Sequence, residues 1–118
     1  MNEEFGTPGT NRAVWDAEAT HPELCQKLRD SLNQVMDPEI GLSVIQLGLI
    51  RNFQVLEDQA RIKMILTTPF CPYGPALIDM TRVKAEEGLD MLVSIELGME
   101  VWDFSMMEEG VDLGWGLY

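Results

Sequence analysis

Cys71 is the residue whose sequence surroundings best fit reactive chemistry. It lies in the segment Thr-Thr-Pro-Phe-Cys-Pro-Tyr-Gly that spans residues 67–74, and a helix is predicted to begin just after it, at Pro75. The unpaired N–H groups and the macrodipole at a helix start favour an anion, so they lower the pKa of a nearby thiol. The resulting thiolate attacks electrophiles and binds metal ions. The alternative is a small buried cysteine in a tight turn.

Three other residues have ordinary structural explanations. Cys25 lies on or beside the apolar stripe of the first predicted helix, where a cysteine usually packs as an unreactive core residue. His21 falls in the first turn of that helix and is expected at the surface, so Cys-His catalysis requires it to lie beside Cys71 in space. Asp37 is expected to bond nearby backbone N–H groups in a turn. Its alternative role is a second ligand or a proton acceptor beside Cys71.

The composition limits the class of function. The chain has 118 residues, with 20 acidic and 8 basic side chains and a net charge of −12. This length fits one domain with a single core, and no apolar run is long enough to span a membrane. The start of the chain has no secretory signal pattern, so we expect a cytoplasmic protein, in which a disulfide between the two cysteines is disfavoured. The negative charge argues against nucleic acid as a partner. Two cysteines and one histidine argue against a self-contained metalloenzyme.

The negative charge is concentrated in the last third of the chain. Residues 85–118 contain nine acidic side chains and no Lys or Arg. Such a segment usually forms a solvated face. The alternative is a docking surface for a basic protein partner, where charge complementarity mainly speeds the encounter.

The beginning of the chain is predicted to be an arm followed by a helix. Residues 1–19 show no period and are predicted to form a flexible arm before a single domain over residues 20–118. Thr20 and Glu23 have the spacing of a capping box, with Thr20 as N-cap. Apolar residues then recur at helical spacing, which predicts a helix over residues 21–36 that ends at the Asp-Pro pair.

Alternation and proline punctuation predict the remaining elements. The pattern becomes extended from Val44, and two alternating runs on either side of residues 57–59 predict a β-hairpin. The proline-rich loop follows, and then a second helix with Pro75 in its first turn and Gly88 as its stop signal. Alternation over residues 92–101 predicts a third strand. The apolar stripe of the second helix is predicted to be Leu77, Met80 and Val83, and one face of the third strand is predicted to be Val93, Ile95 and Leu97.

The order helix, strand, strand, helix, strand predicts an α+β fold. Two amphipathic helices and three strands of these lengths bury their apolar surfaces best when both helices pack on one face of a three-stranded sheet. The tail from Met106 onward, with Val111, Leu113, Trp115 and Leu117, is apolar enough to pack back on this body.

Three segments together resemble one known family. They are Asp37-Pro38-Glu39-Ile40, Leu47-Gly48-Leu49-Ile50 and residues 66–75 with their Thr-x-Pro-x-Cys-Pro core. They resemble the iron-sulfur cluster assembly domain family, formerly a domain of unknown function. That family includes the SufT and PaaD-like proteins and the cytosolic iron-sulfur targeting subunits of eukaryotes. The resemblance covers about residues 22–105. The family usually has Asp where this chain has Gln46, and a Pro-Pro-Trp segment where this chain reads Val-Trp-Asp-Phe-Ser-Met over residues 101–106.

The resemblance implies a fold, a role and a set of site residues. The implied fold is the α+β fold of the C-terminal domain of NifU-type scaffolds, and the implied role is in iron-sulfur cluster assembly or transfer. The family's reactive cysteine corresponds to Cys71, its Asp-Pro aspartate to Asp37 and its loop threonine to Thr67. Cys71 is then the ligand of a transient iron ion or iron-sulfur cluster, with Asp37 as a further candidate ligand. The implied partners are iron-sulfur assembly proteins and client apoproteins, with a homodimer as one way to share a cluster.

Counting ligands sharpens this interpretation. Common iron-sulfur clusters are held by four protein ligands, usually thiolates, and this chain has one cysteine outside the predicted core. We therefore expect a thiol-dependent accessory factor that binds its cargo briefly, rather than a turnover enzyme or a carrier of a permanent cluster. One alternative is a metal-free adaptor that recruits maturation machinery through the acidic last third and exposed Met and Trp residues. A second is a thiol enzyme with a base near Cys71.

Overall fold

The computed structural model describes residues 12–68 and 72–108. In chain order it contains α1 (Pro22–Leu32), β1 (Ile50–Val55), β2 (Gln59–Met64), α2 (Gly74–Leu89) and β3 (Leu92–Leu97), with short 3₁₀ helices at Asp16–Glu18 and Phe104–Met106. β2 is the central strand, and it pairs antiparallel with β1 and parallel with β3. The predicted α+β class, with two helices and a three-stranded sheet, is confirmed.

The sheet has one apolar and one polar face because side chains alternate along each strand. Phe53 of β1 lies opposite Ile62 of β2, and both are fully buried. α2 packs against β3, and α1 packs against α2. The core therefore lies between the apolar face and the helices. The opposite face carries the neighbouring polar residues Asn52, Lys63 and Glu96.

The buried face of α2 differs from the predicted stripe. Leu77 is buried as predicted, but Met80 is 46% exposed and Val83 is 37% exposed. The residues that the helix buries are spaced by four and include Thr81 and Ala85. The prediction is wrong at Met80 and Val83 because the buried row runs through Leu77, Thr81, Ala85 and Leu89 instead.

Gly88 shows how close the two helices come. A Cβ atom on Gly88 would lie 1.9 Å from Ser31 Oγ of α1. Gly88 is therefore a contact residue inside α2, and not the predicted stop signal. The helix ends one residue after it, at Leu89, and Asp90 follows in the left-handed region with a φ of 57°.

Trp15 corrects the prediction for the start of the chain. It lies in the segment predicted to be a flexible arm, but it is only 5% exposed, and its Nε1 donates a hydrogen bond of 3.0 Å to the carbonyl oxygen of Ile50. Its ring also packs edge-to-face against Phe53, with 5.9 Å between the centroids. An indole buried among strand residues anchors this part of the chain against β1. Residues 1–11 of the predicted arm lie outside the described residues.

α1 is shorter than predicted at both ends. Its N-cap is His21 and not Thr20, and no capping side-chain hydrogen bond is present there. At the other end, the helix stops at Leu32 instead of extending to residue 36. The reason is that Met36 forms an isolated antiparallel bridge with Ser43, which requires extended backbone.

The segment after that bridge is a turn, although extended structure was predicted from Val44. Ser43 Oγ accepts a hydrogen bond from the backbone N–H of Gln46, and Gln46 Oε1 accepts one from the N–H of Ser43. This reciprocal pattern is that of a capping box. The turn ends at Gly48, which has a φ of 75°, and β1 begins only at Ile50.

The end of the described chain packs on the body. β3 ends at Leu97, not at residue 101, and Leu97 is 54% exposed. Met106 and Met107 are nearly or fully buried, which confirms the predicted packing of the tail at these two residues. Residues 109–118 lie outside the described residues. Across residues 12–68 and 72–108, we find no helix with the length and apolarity needed to cross a bilayer.

Replacing Gly48 by alanine tests the close approach at this turn. A Cβ atom there would lie 1.9 Å from the carbonyl oxygen of Met106, in addition to the strain of a positive φ. We expect G48A to lower the free energy of unfolding by about 3 kcal/mol or more, measured by urea denaturation.

Gly41 supplies the matched control. It has a φ of 83°, but a Cβ atom there would meet nothing within 4 Å. G41A should therefore show only the backbone term, about 1 kcal/mol. Equal losses for the two variants would contradict the proposed contact between Gly48 and Met106.

Candidate functional site

The segment that contains Cys71 connects two parts of the fold that lie side by side. Cys71 lies outside the described residues, which stop at Thr68 and resume at Pro72. On one side, the chain continues from β2 through Leu66, and on the other α2 begins at Gly74. These two ends touch, because a Cβ atom on Gly74 would lie 2.9 Å from Leu66 Cδ1. Glycine at this position lets the helix start beside the end of the strand.

The start of α2 has the features of an anion-attracting helix end. Pro75 lies in its first turn, as predicted, and Tyr73 is the N-cap. The Tyr73 side chain makes no capping hydrogen bond, and no acidic residue is present in the first turn. The first N–H groups of a helix lack intrahelical partners and carry partial positive charge. This end of α2 lies three residues beyond Cys71 in sequence.

Asp37 is a buried turn residue. It is 1% exposed, and its Oδ1 accepts hydrogen bonds from the backbone N–H groups of Glu39 at 2.8 Å and Ile40 at 3.3 Å. Its own backbone bonds to Leu42 and Gly41. The predicted turn role of Asp37 is confirmed. These hydrogen bonds use Oδ1, one of its two carboxylate oxygens.

An apolar groove connects the Asp37 turn with the start of α2. We call it the Met36 groove; it has a volume of about 170 Å³ and is lined by Met36, Pro38, Tyr73, Ala76, Leu77 and Met80. Pro38 directly follows Asp37, and Tyr73 comes two residues after Cys71. The sequence neighbours of the two candidate residues therefore lie on the same groove.

The Met36 groove contains residues that the sequence did not identify. Met36 and Met80 are 43% and 46% exposed, although the spacing predicts Met80 on the buried stripe of the second helix. Their signal in the sequence is weak because a methionine at helical spacing is far more often a core residue. The packing of the two segments against the core, which the spacing alone does not specify, leaves these side chains facing outward.

Thr67 lies on a second groove. We call it the Trp102 groove; it has a volume of about 320 Å³ and is lined by residues 65–67 and 97–102. Thr67 is half-buried there. The Met36 groove and the Trp102 groove share no lining residue, so neither brings Thr67 together with Pro38.

The remaining candidates have structural roles. Cys25 is 1% exposed with a free thiol, and burial raises the pKa of that thiol while Arg29 partly opposes the shift. The predicted core position of Cys25 is confirmed. His21 is half-buried as the N-cap of α1, with Nδ1 at 2.8 Å from Thr20 Oγ1. Within the described part of the chain, no three Cys, His, Asp or Glu side chains form a group that could hold a metal ion.

Comparison with known proteins decides the family. The sequence profile of the family described as iron-sulfur cluster assembly protein matches residues 26–97. The chain belongs to the iron-sulfur cluster assembly protein family. The resemblance seen in its motifs is thereby confirmed, and the matched range includes Asp37, Thr67 and Cys71.

Relatives in this family are similar over most of their length. The chain is 37% identical over 81 residues to the Fe-S protein maturation auxiliary factor YitW of Bacillus subtilis, covering 68% of this chain and 78% of the relative. It is 40% identical over 81 residues to the Fe-S protein maturation auxiliary factor of Porphyromonas gingivalis, covering 66% of this chain and 77% of that protein.

Solved structures show the same fold. A domain of unknown function from Bacillus anthracis superposes with a TM-score of 0.73 at 20% identity, over 85% of this chain and 98% of that one. A conserved hypothetical protein from Thermotoga maritima superposes with a TM-score of 0.62 at 25% identity, over 91% of this chain and 99% of that one.

Two substitutions at Asp37 separate its turn role from any role of its charge. D37A removes the acceptor of two backbone N–H groups in a buried turn, so we expect it to lower the free energy of unfolding by about 1–3 kcal/mol. D37N keeps an acceptor oxygen at Oδ1 and should cost less than half as much. Urea denaturation of both variants measures this difference. Equal losses would show that the negative charge, rather than the turn hydrogen bonds, stabilises this site.

Proposed function

We propose that this protein is an iron-sulfur protein maturation factor that receives iron or a cluster fragment at Cys71 and passes it to a client apoprotein. The observation that carries the proposal is the start of α2, where the helix begins without a side-chain cap or an acidic residue just after Cys71. The names of the relatives, which are Fe-S protein maturation auxiliary factors, support the same role.

The helix start supports thiolate chemistry at Cys71. Partial positive charge at a helix N-terminus stabilises a thiolate relative to a thiol. A negatively charged cap or a first-turn Asp or Glu would compete for the same N–H groups, and neither is present among the described residues. Cys25 offers no competing thiolate because burial raises its pKa.

Asp37 is proposed to act through its second carboxylate oxygen. Its Oδ1 already accepts hydrogen bonds from the backbone N–H groups of Glu39 and Ile40. Oδ2 is therefore the atom through which Asp37 would bind iron or take up a proton. A carboxylate is a hard ligand and a thiolate a soft one, a combination that leaves a cluster short of its usual thiolates. Cargo held this way is readily lost to a client with more cysteines.

The transfer step is a redox-neutral exchange of ligands. A client thiol gives its proton to water as its sulfur binds iron, and the bond between iron and Cys71 breaks to leave the Cys71 thiolate. Iron keeps its oxidation state throughout. The proposed protein is therefore an accessory factor that returns to its starting state without consuming a co-reactant.

A metal-free adaptor is the second candidate function. Exposed apolar side chains at Met99 and Val101 favour it, since both are more than four-fifths exposed. Anaerobic reconstitution with iron and sulfide, followed by visible absorption, separates the two functions. A cluster or iron-thiolate gives charge-transfer bands, whereas an adaptor stays colourless.

Cluster transfer by C71S is the direct test of the proposed function. The reconstituted protein is mixed with an apoferredoxin, and cluster formation on the acceptor is followed by circular dichroism. We expect C71S to lose at least about tenfold in transfer rate, because the hydroxyl of serine does not ionise near neutral pH. C25A is the matched control, and we expect it to transfer at the wild-type rate. Equal rates for C71S and the wild type would refute the role of Cys71.

The pH dependence of alkylation tests the state of the thiol without metal. If α2 lowers the pKa of Cys71, iodoacetamide labelling of the C25A variant should remain fast well below about pH 8. In the C71S variant, labelling of Cys25 should be slow at the same pH because the thiol is 1% exposed and its pKa is raised by burial. A Cys71 rate that falls as steeply as that of free cysteine would contradict an activated thiol.

A further inference from the structure

The Trp102 groove lies between two chain segments that leave neighbouring parallel strands. Residues 65–67 continue from β2, and residues 97–102 continue from β3. Because these strands are parallel, both walls lie at their carboxyl ends. Crevices at this edge of a sheet are common binding sites, and about 320 Å³ is at the lower end of the range for them.

One wall of the groove is held in place by the rest of the fold. Trp102 Nε1 donates a hydrogen bond of 2.7 Å to the carbonyl oxygen of Leu47, and the indole packs edge-to-face on Phe104. Behind it, the side chain of Arg51 is only 7% exposed and lies with Nε 3.9 Å from Glu100 Oε2. The groove is therefore formed before any partner arrives, which reduces the entropy lost on binding.

The other residues of this wall expose apolar side chains. Met99 is 94% exposed, Val101 is 85% exposed and Leu97 is 54% exposed. They alternate along one short segment and all three line the groove. A contiguous set of exposed apolar side chains beside a preformed groove is typical of an interaction surface.

The outer edge of β3 adds hydrogen-bonding groups to this surface. Gly98 N–H bonds to Met64 of the neighbouring strand, while Val93 N–H bonds outward to the Glu86 side chain. Alternation therefore directs the N–H groups of Ile95 and Leu97 outward. β3 is an edge strand of the described sheet, so within that sheet no strand pairs with this side. An extended peptide can add there as a further strand.

Charge distinguishes the two candidate occupants of this surface, which are a second copy of this chain and a basic segment of another protein. Residues 96–108, which include one wall of the groove, contain four acidic side chains and no Lys or Arg. Lys63 lies one strand further in, beside Glu96, and Arg51 is buried against Glu100. A second copy of this chain would place the same acidic segment against itself, which like-charge repulsion disfavours. A segment that carries Lys or Arg is attracted to it.

We propose that the Trp102 groove and the outer edge of β3 bind an extended, basic segment of the client apoprotein, with one apolar side chain in the groove. This inference rests on the proposed function, since the client is the partner that receives the cargo. Thr67 lines the groove and lies four residues before Cys71 in the sequence. A client bound in the groove is therefore bound beside the segment that continues to the proposed cargo ligand. The acidic segment 96–108 then forms part of the docking surface.

Binding of a labelled peptide tests the groove without any metal. The probe is a short synthetic peptide with one leucine between two lysines, and its affinity is measured by fluorescence anisotropy at low salt. The double variant M99S/V101S removes two exposed apolar contacts, and we expect it to weaken binding about tenfold. L92S is the matched control because Leu92 is 69% exposed on β3 but does not line the groove.

The charge and the location are tested with the same probe. A peptide with glutamates in place of the lysines should not bind. Glu100 lines the groove, so E100Q should weaken binding of the basic peptide about two- to threefold while reducing its salt dependence. Amide shifts in a ¹H–¹⁵N spectrum should concentrate on residues 65–67 and 95–102. An M99S/V101S affinity equal to that of the wild type overturns the proposal, and so does the lack of any binding.

Measurements of oligomeric state and of iron and sulfide loading distinguish failure of the groove proposal from failure of the proposed function. If the protein is dimeric in sedimentation and M99S/V101S makes it monomeric, a second copy occupies the groove and the proposal is wrong. Loading of iron and sulfide onto M99S/V101S should equal loading of the wild type, since the variant leaves Cys71 unchanged. Loss of loading by C71S with intact peptide binding supports both proposals, whereas equal loading of C71S with intact peptide binding refutes only the role of Cys71.

Discussion

Three consecutive backbone carbonyls organise the surface on which the proposed functions depend. Gln46 accepts a hydrogen bond from the N–H of Glu108, Leu47 from the indole of Trp102, and Gly48 from the guanidinium of Arg51. These carbonyls are available because the turn that contains them does not pair with a strand. A single turn therefore holds the whole segment that follows β3, from the groove wall to the end of the described chain.

Gln46, a position at which the motif resemblance would place Asp, has a structural role within that turn. The family usually has Asp at the position of Gln46, and the structure gives Gln46 a local role through its reciprocal hydrogen bonds with Ser43. A glutamine reaches the N–H of the residue three positions earlier, as in the capping boxes of helices. These hydrogen bonds stabilise the turn, and the Leu47 carbonyl within it accepts the hydrogen bond from Trp102.

The sequence is sufficient to predict those elements that bury one continuous apolar face against the core. The hairpin and the body of α1 follow from periodicity because each buries a continuous apolar face against the core. Periodicity misled at α2, where the close contact of Gly88 with Ser31 demands small residues and leaves Met80 outside. It also missed Trp15, since an isolated indole has no period.

The candidate site was predictable in its residue types but not in its surroundings. Asp37 and Cys71 stand out because of the prolines beside them. The grooves do not, because they join residues such as Pro38 and Tyr73, or Thr67 and Trp102, that are about 35 positions apart in the sequence. Only the topology brings these side chains together.

The contact between Leu66 and Gly74 has a consequence for how this family can diversify. Because the strand end and the helix start are neighbours, the segment between them closes a ring on a scaffold that is already complete. Doubling the length of such a ring costs only about 0.6 kcal/mol in closure entropy. A change in the length of this connection therefore costs the sheet and the helices little, whereas the Thr-x-Pro-x-Cys-Pro motif within it carries the resemblance to the family.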